Sequence, residues 1–310
     1  MNGVLVVDKP AGRTSFAVVS EVKKRTGARK AGHTGTLDPL ATGVLPVCLN
    51  EATKLASFLA LDSKDYRATM LLGVRTDTED IDGSVLSRVD PDVSDADIHG
   101  TLGRFLGRYE QKPPRYSALK HQGRPLYKWA RKGIVIDPPP RTVEIQNLEV
   151  ESVSLPYVTF HISCSKGTYI RSLCAEAGDR LGCGACLAAL RRMRSGAFTE
   201  ASALAIGADG GWPERDEILR HIIPMADALP GVPAISVDAN LAVKLRDGYQ
   251  PVAAVLRGYP IPFLAAGDMV SFVDGGRRLV AAARMLYSTE RMETLEGGRQ
   301  AVKILRVFNG

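Results

Sequence analysis

Short apolar runs separated by glycine, proline and charged residues recur along the first two thirds of the chain. Runs this short, bounded by turn-forming residues, are typical of β-strands, and the last of them also alternates between apolar and polar positions. The pattern predicts strands over Gly3–Val7, Val44–Leu49, Tyr66–Leu72 and Val158–Cys164.

Signals for helices lie between these strands. Residues 31–42 are rich in glycine and threonine, and we interpret them as an ordered loop. A hydroxyl or carboxylate side chain just before an apolar periodic segment caps a helix, and a glycine just after it ends one. The predicted helices run from Thr14/Ser15 to about Lys24 with Gly27 behind it, over Thr53–Leu61, from Ser94–Asp97 to Phe105, and from Gly167–Arg171 to Arg180 with Gly182 behind it.

The chain changes character at residues 229–233, which hold two prolines and a glycine and are the best linker candidate. Short β-rich runs follow, and Gly275-Gly276 between two of them is a two-residue hairpin signal. We therefore expect one domain over residues 1–230 and a small β-domain over residues 231–310. The predicted strands of the small domain are Ala253–Leu256, Met269–Val273, Leu279–Ala283 and Val302–Phe308.

The composition supports a folded two-domain chain, because 45% of the 310 residues are hydrophobic and 24% are charged, which excludes a mainly disordered protein. The first residues lack the pattern of a signal peptide, and no uncharged apolar run approaches the ~18 residues of a membrane span. Five cysteines are an odd number for a disulfide framework. We therefore expect a cytoplasmic protein with reduced thiols that does not bind membranes.

The net charge of +6 hides a stronger local contrast. Residues 77–97 hold eight acidic residues against Arg88 alone, whereas residues 112–132 hold seven basic residues and no acid. The basic stretch also carries three aromatic residues, and cations interleaved with aromatic faces suit a phosphate backbone with unstacked bases. A solvated charged face is the plainer alternative. The seven cations are Lys112, Arg115, Lys120, Arg124, Lys128, Arg131 and Lys132, and a second basic stretch holds Lys23, Lys24, Arg25, Arg29 and Lys30.

Residues 32–43 form the segment most suited to chemistry, since they concentrate glycine, threonine, one histidine and the pair Asp38-Pro39. Small residues let the backbone approach a ligand closely. Pro39 biases Asp38 towards an extended conformation, which projects the carboxylate out of the loop. Most Asp-Pro pairs are only turn formers, so these residues alone leave Asp38 open between catalysis and structure. The sequence contains no nucleophile elbow, phosphate-binding loop or zinc-protease motif that would compete with it.

Cys183 and Cys186 have the spacing of a metal or redox pair. A structural zinc site takes four ligands, and the sequence offers no second pair of this kind. The βαβ pattern of a thioredoxin-like site is missing as well. We interpret the two residues as small thiols in a packing segment and expect no metal site.

Residues 32–45 resemble the catalytic loop of the bacterial tRNA pseudouridine-55 synthases, and four other stretches match the same family in the same order. Together the five stretches span about residues 3–198. Small departures lie at residues 174–179 and at Cys186, away from the proposed chemistry. The four further stretches are Asp8-Lys9-Pro10-x-Gly12, Lys64-x-Tyr66 with residues 72–83, residues 111–118 continuing to 130–133, and Gly167–Leu173 with Leu190–Arg192.

The resemblance implies an α+β fold, with a mixed, mainly antiparallel sheet flanked by helices in a catalytic domain over residues 1–230. An insertion at about residues 111–145 would grip RNA, and residues 231–310 would form a small β-barrel-like (PUA-like) RNA-binding domain. The implied activity is that of a tRNA pseudouridine(55) synthase, an isomerase that flips out uridine 55 of the T-arm loop and converts it to pseudouridine without a cofactor.

The same resemblance implies roles for individual residues. Asp38 would be the ionised nucleophile, paired with Arg171. For the tyrosines and the leucine of the pocket, plain core packing would be the interpretation without the motif. The other implied contacts are Tyr66 stacked on the flipped base, Tyr169 and Leu190 positioning the uracil, His33 filling the space that flipped nucleotides leave, and Lys9 and Pro10 supporting the loop.

The resemblance also identifies the RNA interface: the seven cations of residues 112–132 would bind the T-arm. If six of them meet phosphates, the affinity should fall with the logarithm of the salt concentration at a slope of about −5. The acidic stretch should face away from RNA, except where Asp77 and Asp80 have structural roles in a turn. We expect no obligatory protein partner.

Three other functions compete with this hypothesis. The first is an RNA-binding folding factor whose catalysis is incidental, a role that can coexist with the enzyme. The second is the catalytic subunit of a guide-RNA particle, against which the short N-terminus and the lack of partner-binding extensions argue. The third, remote alternative is a metal or redox protein built on Cys183 and Cys186.

Overall fold

The computed structural model describes residues 1–60, 62–130, 132–134, 136–207 and 211–309. The strands of this part of the chain are β1 (Gly3–Lys9), β2 (Ala31–His33), β3 (Thr42–Leu49), β4 (Lys64–Leu72), β5 (Val74–Thr76), β6 (Val85–Arg88), β7 (Gly107–Gln111), β8 (Lys120–His121), β9 (Arg124–Pro125), β10 (Arg141–Ser154), β11 (Tyr157–Cys164), β12 (Ala185–Ser195), β13 (Phe198–Thr199), β14 (Leu204–Ala205), β15 (Ile223–Pro224), β16 (Ala234–Ser236), β17 (Met269–Val273), β18 (Leu279–Met285) and β19 (Val302–Val307).

The α-helices lie between these strands, together with 3₁₀ turns at Asn50–Leu55 and Glu200–Ser202. Among the described residues, no helix is both long and apolar enough to cross a membrane. The helices are α1 (Ser15–Thr26), α2 (Ala56–Leu59), α3 (Asp95–Gly103), α4 (Leu126–Ala130), α5 (Ile170–Arg180), α6 (Arg215–Arg220), α7 (Ala239–Arg246), α8 (Ala253–Leu256) and α9 (Thr289–Glu293).

Eleven of the described strands form one sheet in which most neighbours are antiparallel. Its central order is β14-β1-β3-β12-β4-β11-β10-β7, with β2, β13 and β15 paired at β3, β12 and β1. Strand β12 lies between β3, to which it is parallel, and β4, to which it is antiparallel. Because β3 follows the loop of residues 34–41 directly, this arrangement sets the loop at the middle of the sheet. The predicted mixed, mainly antiparallel α+β fold is confirmed.

Local signals determine the helix ends much as predicted. The Thr14 hydroxyl accepts a hydrogen bond from the Ala17 amide at the start of α1, and Gly27 ends this helix in the left-handed conformation at φ 70°. Ser94 and Asp97 form a reciprocal capping box at the start of α3. The helix predicted over Thr53–Leu61 divides between a 3₁₀ turn and α2, and Leu61 lies outside the described residues.

The segment after residue 233 forms an open four-stranded sheet in the order β16-β17-β18-β19. Its apolar core includes Leu245, Leu256, Phe272 and Val280. A second buried cluster joins this sheet to the main one, since Phe308 of the C-terminal segment belongs to the same cluster as residues of β1 and β3. The β-rich C-terminal domain is thus present, but its described strands form an open sheet rather than the closed barrel that the expectation of a β-barrel-like domain suggests, and its PUA-like character stays a prediction.

Two predictions for this segment were wrong in detail. Ala253–Leu256 is helix α8 rather than a strand, because alanine favours a helix and the spacing of Ala253 and Leu256 buries both on one side of a single turn. The hairpin at Gly275-Gly276 has a longer loop of residues 274–278, because the Asp274 carboxylate accepts hydrogen bonds from the amides of Gly276 and Arg278. Outside this segment, the predicted loop of residues 31–42 begins with the short strand β2.

Candidate active site

The loop of residues 34–41 is held at its base by the segment that precedes and begins α1. The Ser15 hydroxyl donates to the Leu37 carbonyl at 2.9 Å and accepts from the Leu37 amide at 2.8 Å. The Gly12 amide donates to the Pro39 carbonyl at 2.9 Å. Both neighbours of Asp38 are therefore fixed through their backbone, which limits where the Asp38 carboxylate can lie.

The carboxylate of Asp38 meets the guanidinium of Arg171 across 133 residues of sequence, with Nε and Oδ2 at 2.9 Å. The Arg171 side chain is only 4% exposed and lies in the first turn of α5, whereas the Asp38 side chain is 35% exposed. A cation in the first turn opposes the helix dipole, so a specific partner is needed there. The structure thus brings together the two residues that the resemblance pairs.

The two remaining nitrogens of Arg171 reach the turn that holds Thr78 and Asp80 and the segment that holds Tyr116. Nη1 donates to the Thr78 carbonyl at 2.7 Å and lies 3.5 Å from the buried carboxylate of Asp80, and Nη2 donates to the Tyr116 carbonyl at 2.9 Å. Burial raises the pKa of Asp80, and the nearby Arg171 opposes that rise. Arg171 is therefore fixed from three directions and presents one N–H to Asp38.

Two further polar groups complete the support of α5 and were missed as functional residues. The Ser172 hydroxyl donates to the Glu79 carboxylate at 2.6 Å, and burial raises the pKa of Glu79. The buried side chain of Gln111 binds both the amide and the carbonyl of Tyr169, at 2.8 and 3.0 Å. Ser172, Glu79 and Gln111 all fall within the stretches that carry the resemblance, and no other feature of the sequence marks them.

Lys9 contacts the backbone of the loop and of the segment before α1. Its buried ammonium donates to the carbonyls of Pro10, Arg13 and Pro39 at 2.8, 2.6 and 3.2 Å. Burial lowers the pKa of Lys9 to about 8, so the three-donor ammonium form persists at neutral pH. Pro10 contributes its carbonyl oxygen to this arrangement.

A second buried cation, Arg192 of β12, holds the other side of the loop. Its Nε donates to the Val44 carbonyl at 2.7 Å and its Nη2 to the Gly35 carbonyl at 3.1 Å. Gly43 adopts φ +99° where β3 passes the backbone of Arg192, and an added Cβ would collide with that backbone. The close approach of the two strands therefore requires glycine.

Four other implied pocket residues surround this loop. Tyr66 of β4 lies opposite Arg192 in the strand register, and burial raises its pKa against the effect of the Arg192 charge. Burial also raises the pKa of Tyr169, and Leu190 is almost fully buried in β12. Burial lowers the pKa of His33, as does the charge of Arg192, so the imidazole is neutral at pH 7. All four lie on elements that border the Asp38 loop.

The segment between β7 and β10 carries the predicted RNA-binding cations. Its hairpin β8–β9 and helix α4 are joined to the site, because Arg171 donates to the carbonyl of Tyr116 at the base of the hairpin. The guanidinium of Arg124 lies 5.7 Å from the centre of the Trp129 ring. Lys112 and Arg115 share Asp137 at 3.3 and 3.6 Å. The exposed cations are Lys112, Arg115, Lys120, Arg124, Lys128 and Lys132, and Arg131 lies outside the described residues.

The turn roles expected of two acidic residues are present. The Asp77 carboxylate accepts from the Ser84 amide at 2.7 Å, and the Asp80 carboxylate accepts from the Thr78 hydroxyl at 2.6 Å. All five cysteines, including Cys183 and Cys186, are buried free thiols. Among the described residues, no three His, Cys, Asp or Glu side chains come together as a metal site.

The site contains one partly exposed carboxylate, that of Asp38, in a loop whose backbone is held by hydrogen bonds. Buried cations contact the loop and the carboxylate, and aromatic and aliphatic side chains lie beside them. A carboxylate of this kind serves as a nucleophile or as a base. The aromatic faces suit a planar ring, and the exposed cations beside them suit a phosphate backbone. The arrangement fits a reaction on a nucleotide that has been turned out of its stack.

Comparisons with known proteins agree with this geometry. Residues 23–170 match the model of the TruB family pseudouridylate synthase N-terminal domain, and residues 171–229 match that of the tRNA pseudouridylate synthase B C-terminal domain. A protein of Syntrophus aciditrophicus named tRNA pseudouridine synthase B is 53% identical over all of this chain and 99% of its own length. One of the same name from Burkholderia mallei is 42% identical over 92% of this chain and 93% of its own.

Solved structures show the same likeness at lower identity. A chain from a Cbf5-Nop10-Gar1 complex is 29% identical, with a TM-score of 0.73 over 99% of this chain and 85% of its own. A chain from an H/ACA RNP bound to a substrate RNA containing 2′-deoxyuridine is 28% identical, with a TM-score of 0.72 and the same coverage. The similarity thus extends over the eleven-stranded sheet and the four-stranded C-terminal sheet.

Proposed function

Because the chain belongs to the TruB family of pseudouridylate synthases, we propose that its target is uridine 55 in the T-arm loop of tRNA and that Asp38 is the catalytic carboxylate. The chain is an isomerase that converts uridine in tRNA to pseudouridine. The observation that carries the assignment of Asp38 is the 2.9 Å ion pair between its partly exposed carboxylate and the buried Arg171.

In the proposed reaction the N1–C1′ bond of the uridine breaks, the uracil turns in place, and a C5–C1′ bond forms while C5 loses its proton and N1 gains one, so the product is an isomer of the substrate. Attack at C1′, attack at C6 and removal of a ribose proton all begin from the ionised carboxylate of Asp38. Arg171 fixes one oxygen of that carboxylate, and the loop contacts of Leu37 and Pro39 fix its backbone. The chain's own part is therefore to place an anion at a defined point beside the sugar.

The flipped uracil would lie between Tyr66, Tyr169 and Leu190, which supply ring faces and aliphatic surface next to Asp38. Burial raises the pKa of both tyrosines, so each keeps its phenolic proton at neutral pH and can donate a hydrogen bond. His33 would fill the space that the nucleotide leaves. Base extrusion costs a few kcal/mol, which contacts of this kind offset.

The T-arm itself would bind to the exposed cations between β7 and β10. Six of the seven predicted cations lie within the described residues, and all six are exposed. Residues 1–230 would then be the catalytic domain and residues 231–310 the PUA-like RNA-binding domain that extends the contact along the tRNA. Substitution of Arg277, which is exposed on the C-terminal hairpin, should weaken binding of whole tRNA but not of an isolated T-arm stem-loop.

We also propose that the protein acts in the cytoplasm and needs neither a guide RNA nor a protein partner. The relatives with the higher identity carry the name of a tRNA enzyme, whereas those from the RNP complexes are 28–29% identical. The five free thiols fit a reducing compartment. Pseudouridine formation by the purified protein on unmodified tRNA, with no other component, is the expected result.

The decisive experiment maps pseudouridine in such tRNA after incubation with wild-type protein and with Asp38→Ala. We expect wild-type protein to modify one uridine in the T-arm loop and Asp38→Ala to modify none while it still binds the tRNA. Asp92→Ala, which removes an exposed carboxylate in the acidic stretch, is the matched control and should be fully active. Turnover by Asp38→Ala close to the wild-type rate would refute the assignment, and a role in tRNA folding would persist in this variant.

A further inference from the structure

The basic stretch of residues 23–30 has no part in the function described so far. In the structure, some of its cations contact other side chains and others are exposed without an ion-pair partner among the described residues. Arg25 is engaged: it binds Glu21 at 2.6 Å and lies over the Trp212 ring at 5.4 Å. Lys23 and Lys24 are exposed, and neither has an ion-pair partner within the described ranges. These two lysines are therefore available to an anion in solution.

The same helix carries a large apolar side chain in solvent. Phe16 in the first turn of α1 is 77% exposed, the highest value among the large hydrophobic side chains that the structure describes. A single exposed apolar side chain is common on protein surfaces, so Phe16 draws attention only through its position: it shares α1 with Lys23 and Lys24 and lies next to Ser15, which contacts the Asp38 loop. The inward-facing residues of α1, such as Val18 and Val22, are fully buried, so Phe16 is not part of the core.

Phe16 lies at the border of the Asp38 loop. Its neighbour Ser15 is bonded through the hydroxyl to both backbone groups of Leu37, and residues 12 and 13 are tied to the loop through Pro39 and Lys9. Ser15 contacts Leu37, the residue before Asp38, and the Cα atom of Phe16 lies only about 3.8 Å from that of Ser15. The start of α1, which carries Phe16, is therefore anchored beside the segment that positions Asp38.

The exposed positions of α1 form one continuous face. Phe16, Ser20, Lys23 and Lys24 are separated by four, seven and eight residues, spacings that fall on one side of an α-helix. At 1.5 Å per residue, the two lysines lie about 10–12 Å along the axis from Phe16. An aromatic ring at one end and two cations at the other match a stacked base followed by its phosphates.

We propose that this face of α1 is a second RNA contact, in which an unpaired base next to the flipped uridine stacks on Phe16 and the adjoining phosphates lie on Lys23 and Lys24. The proposal rests on the proposed function, since it places the strand that enters the Asp38 site. It assigns Phe16 as a positioning residue for the substrate, separate from the cations between β7 and β10.

The test measures the Kd of a T-arm stem-loop and the KM and kcat of pseudouridine formation for Phe16→Ala and Phe16→Tyr. Removing one stacking platform should weaken binding and raise KM by about 5- to 150-fold, since a stacked base contributes about 1–3 kcal/mol. The value of kcat at saturating RNA should stay near that of wild type, and Phe16→Tyr should restore KM because a phenol ring stacks equally well. Leu86→Ala, a 67% exposed apolar residue on the acidic stretch, is the matched control and should change nothing.

A second arm replaces Lys23 and Lys24 with alanine and measures binding against salt concentration. The slope of log K against log salt should become shallower by about 1.4, because each of the two phosphates on a single strand contributes about 0.7. A wild-type protein that leaves T-arm RNA unmodified would refute the proposed function. If wild type is active but Phe16→Ala keeps the wild-type Kd and KM, the second contact is refuted and the function stands. Loss of KM rescue by Phe16→Tyr would likewise refute stacking.

Discussion

Replacing Arg171 with methionine should show how much this arginine contributes to activity through Asp38 and how much to stability through Asp80. The guanidinium lies 2.9 Å from Asp38, which is partly exposed, and 3.5 Å from Asp80, which is buried. Methionine has similar length but no charge and no donor. In Arg171→Met, Asp38 loses its positioning contact, and Asp80 is left as a buried carboxylate without its cation.

The two losses have different sizes and different readouts. Breaking a buried ion pair by removing one partner costs about 3–5 kcal/mol of folding free energy, because the remaining charge is uncompensated. Losing a charge-assisted hydrogen bond at Asp38 costs about 1.5–3 kcal/mol in the site. At 1.36 kcal/mol per tenfold, that loss alone lowers kcat/KM by about 10- to 150-fold, and displacement of the carboxylate adds to it.

Adding Asp80→Asn to Arg171→Met tests this division. The double variant no longer carries the unpaired buried charge, so it should recover at least about 1 kcal/mol of unfolding free energy relative to Arg171→Met. Its activity should stay as low as that of Arg171→Met, because Asp38 still lacks its partner. Urea denaturation and pseudouridine formation are measured on all four proteins of the cycle. No recovery of stability in the double variant, or activity of Arg171→Met within threefold of wild type, would refute the reasoning.

Two further predictions concern residues that flank the loop. Gly43→Ala should lower the unfolding free energy by at least about 1 kcal/mol, since the residue has φ +99° and a Cβ would meet the Arg192 backbone; Gly32→Ala, where a Cβ meets no atom within 4 Å, is the control in urea denaturation. Burial lowers the pKa of His33 below 6.5, so the unfolded chain binds this proton more tightly and stability is lost as the pH falls below about 6.5. His33→Asn should flatten that loss, whose slope is at most about 1.4 kcal/mol per pH unit; an unchanged slope would contradict the burial of a neutral imidazole.

The elements that local sequence signals determine were predicted best. The N-cap Thr14, the left-handed Gly27 and the capping box of Ser94 with Asp97 all act within four residues, so their effect is visible in the sequence. Strand β12 was missed because alanine, cysteine and arginine give it no strand-like pattern. Its strand state comes from pairing with β3 and β4 on either side, which no local signal records.

The site divides in the same way. Asp38 stands out because an Asp-Pro pair among glycines and threonines is unusual, and the family resemblance supplies Arg171 and the pocket residues. Asp80 was assigned only a turn role because it lies within a run of eight acids, where nothing distinguishes the one carboxylate that becomes buried. Its contact with Arg171 joins residues 91 positions apart and exists only after α5 has packed against the turn.

Buried cations, together with the apolar anchors Leu37 and Ala41, set the shape of the Asp38 loop. Lys9, Arg171 and Arg192 are almost fully buried, and together they donate to the carbonyls of residues 10, 13, 35, 39, 44, 78 and 116. Burying a cation is unfavourable unless acceptors surround it, so each of these side chains holds its carbonyls firmly in place. These contacts explain why a hydrophobic pattern finds the sheet but not the site, because the cations that hold the loop are polar and two of them are distant from it in sequence.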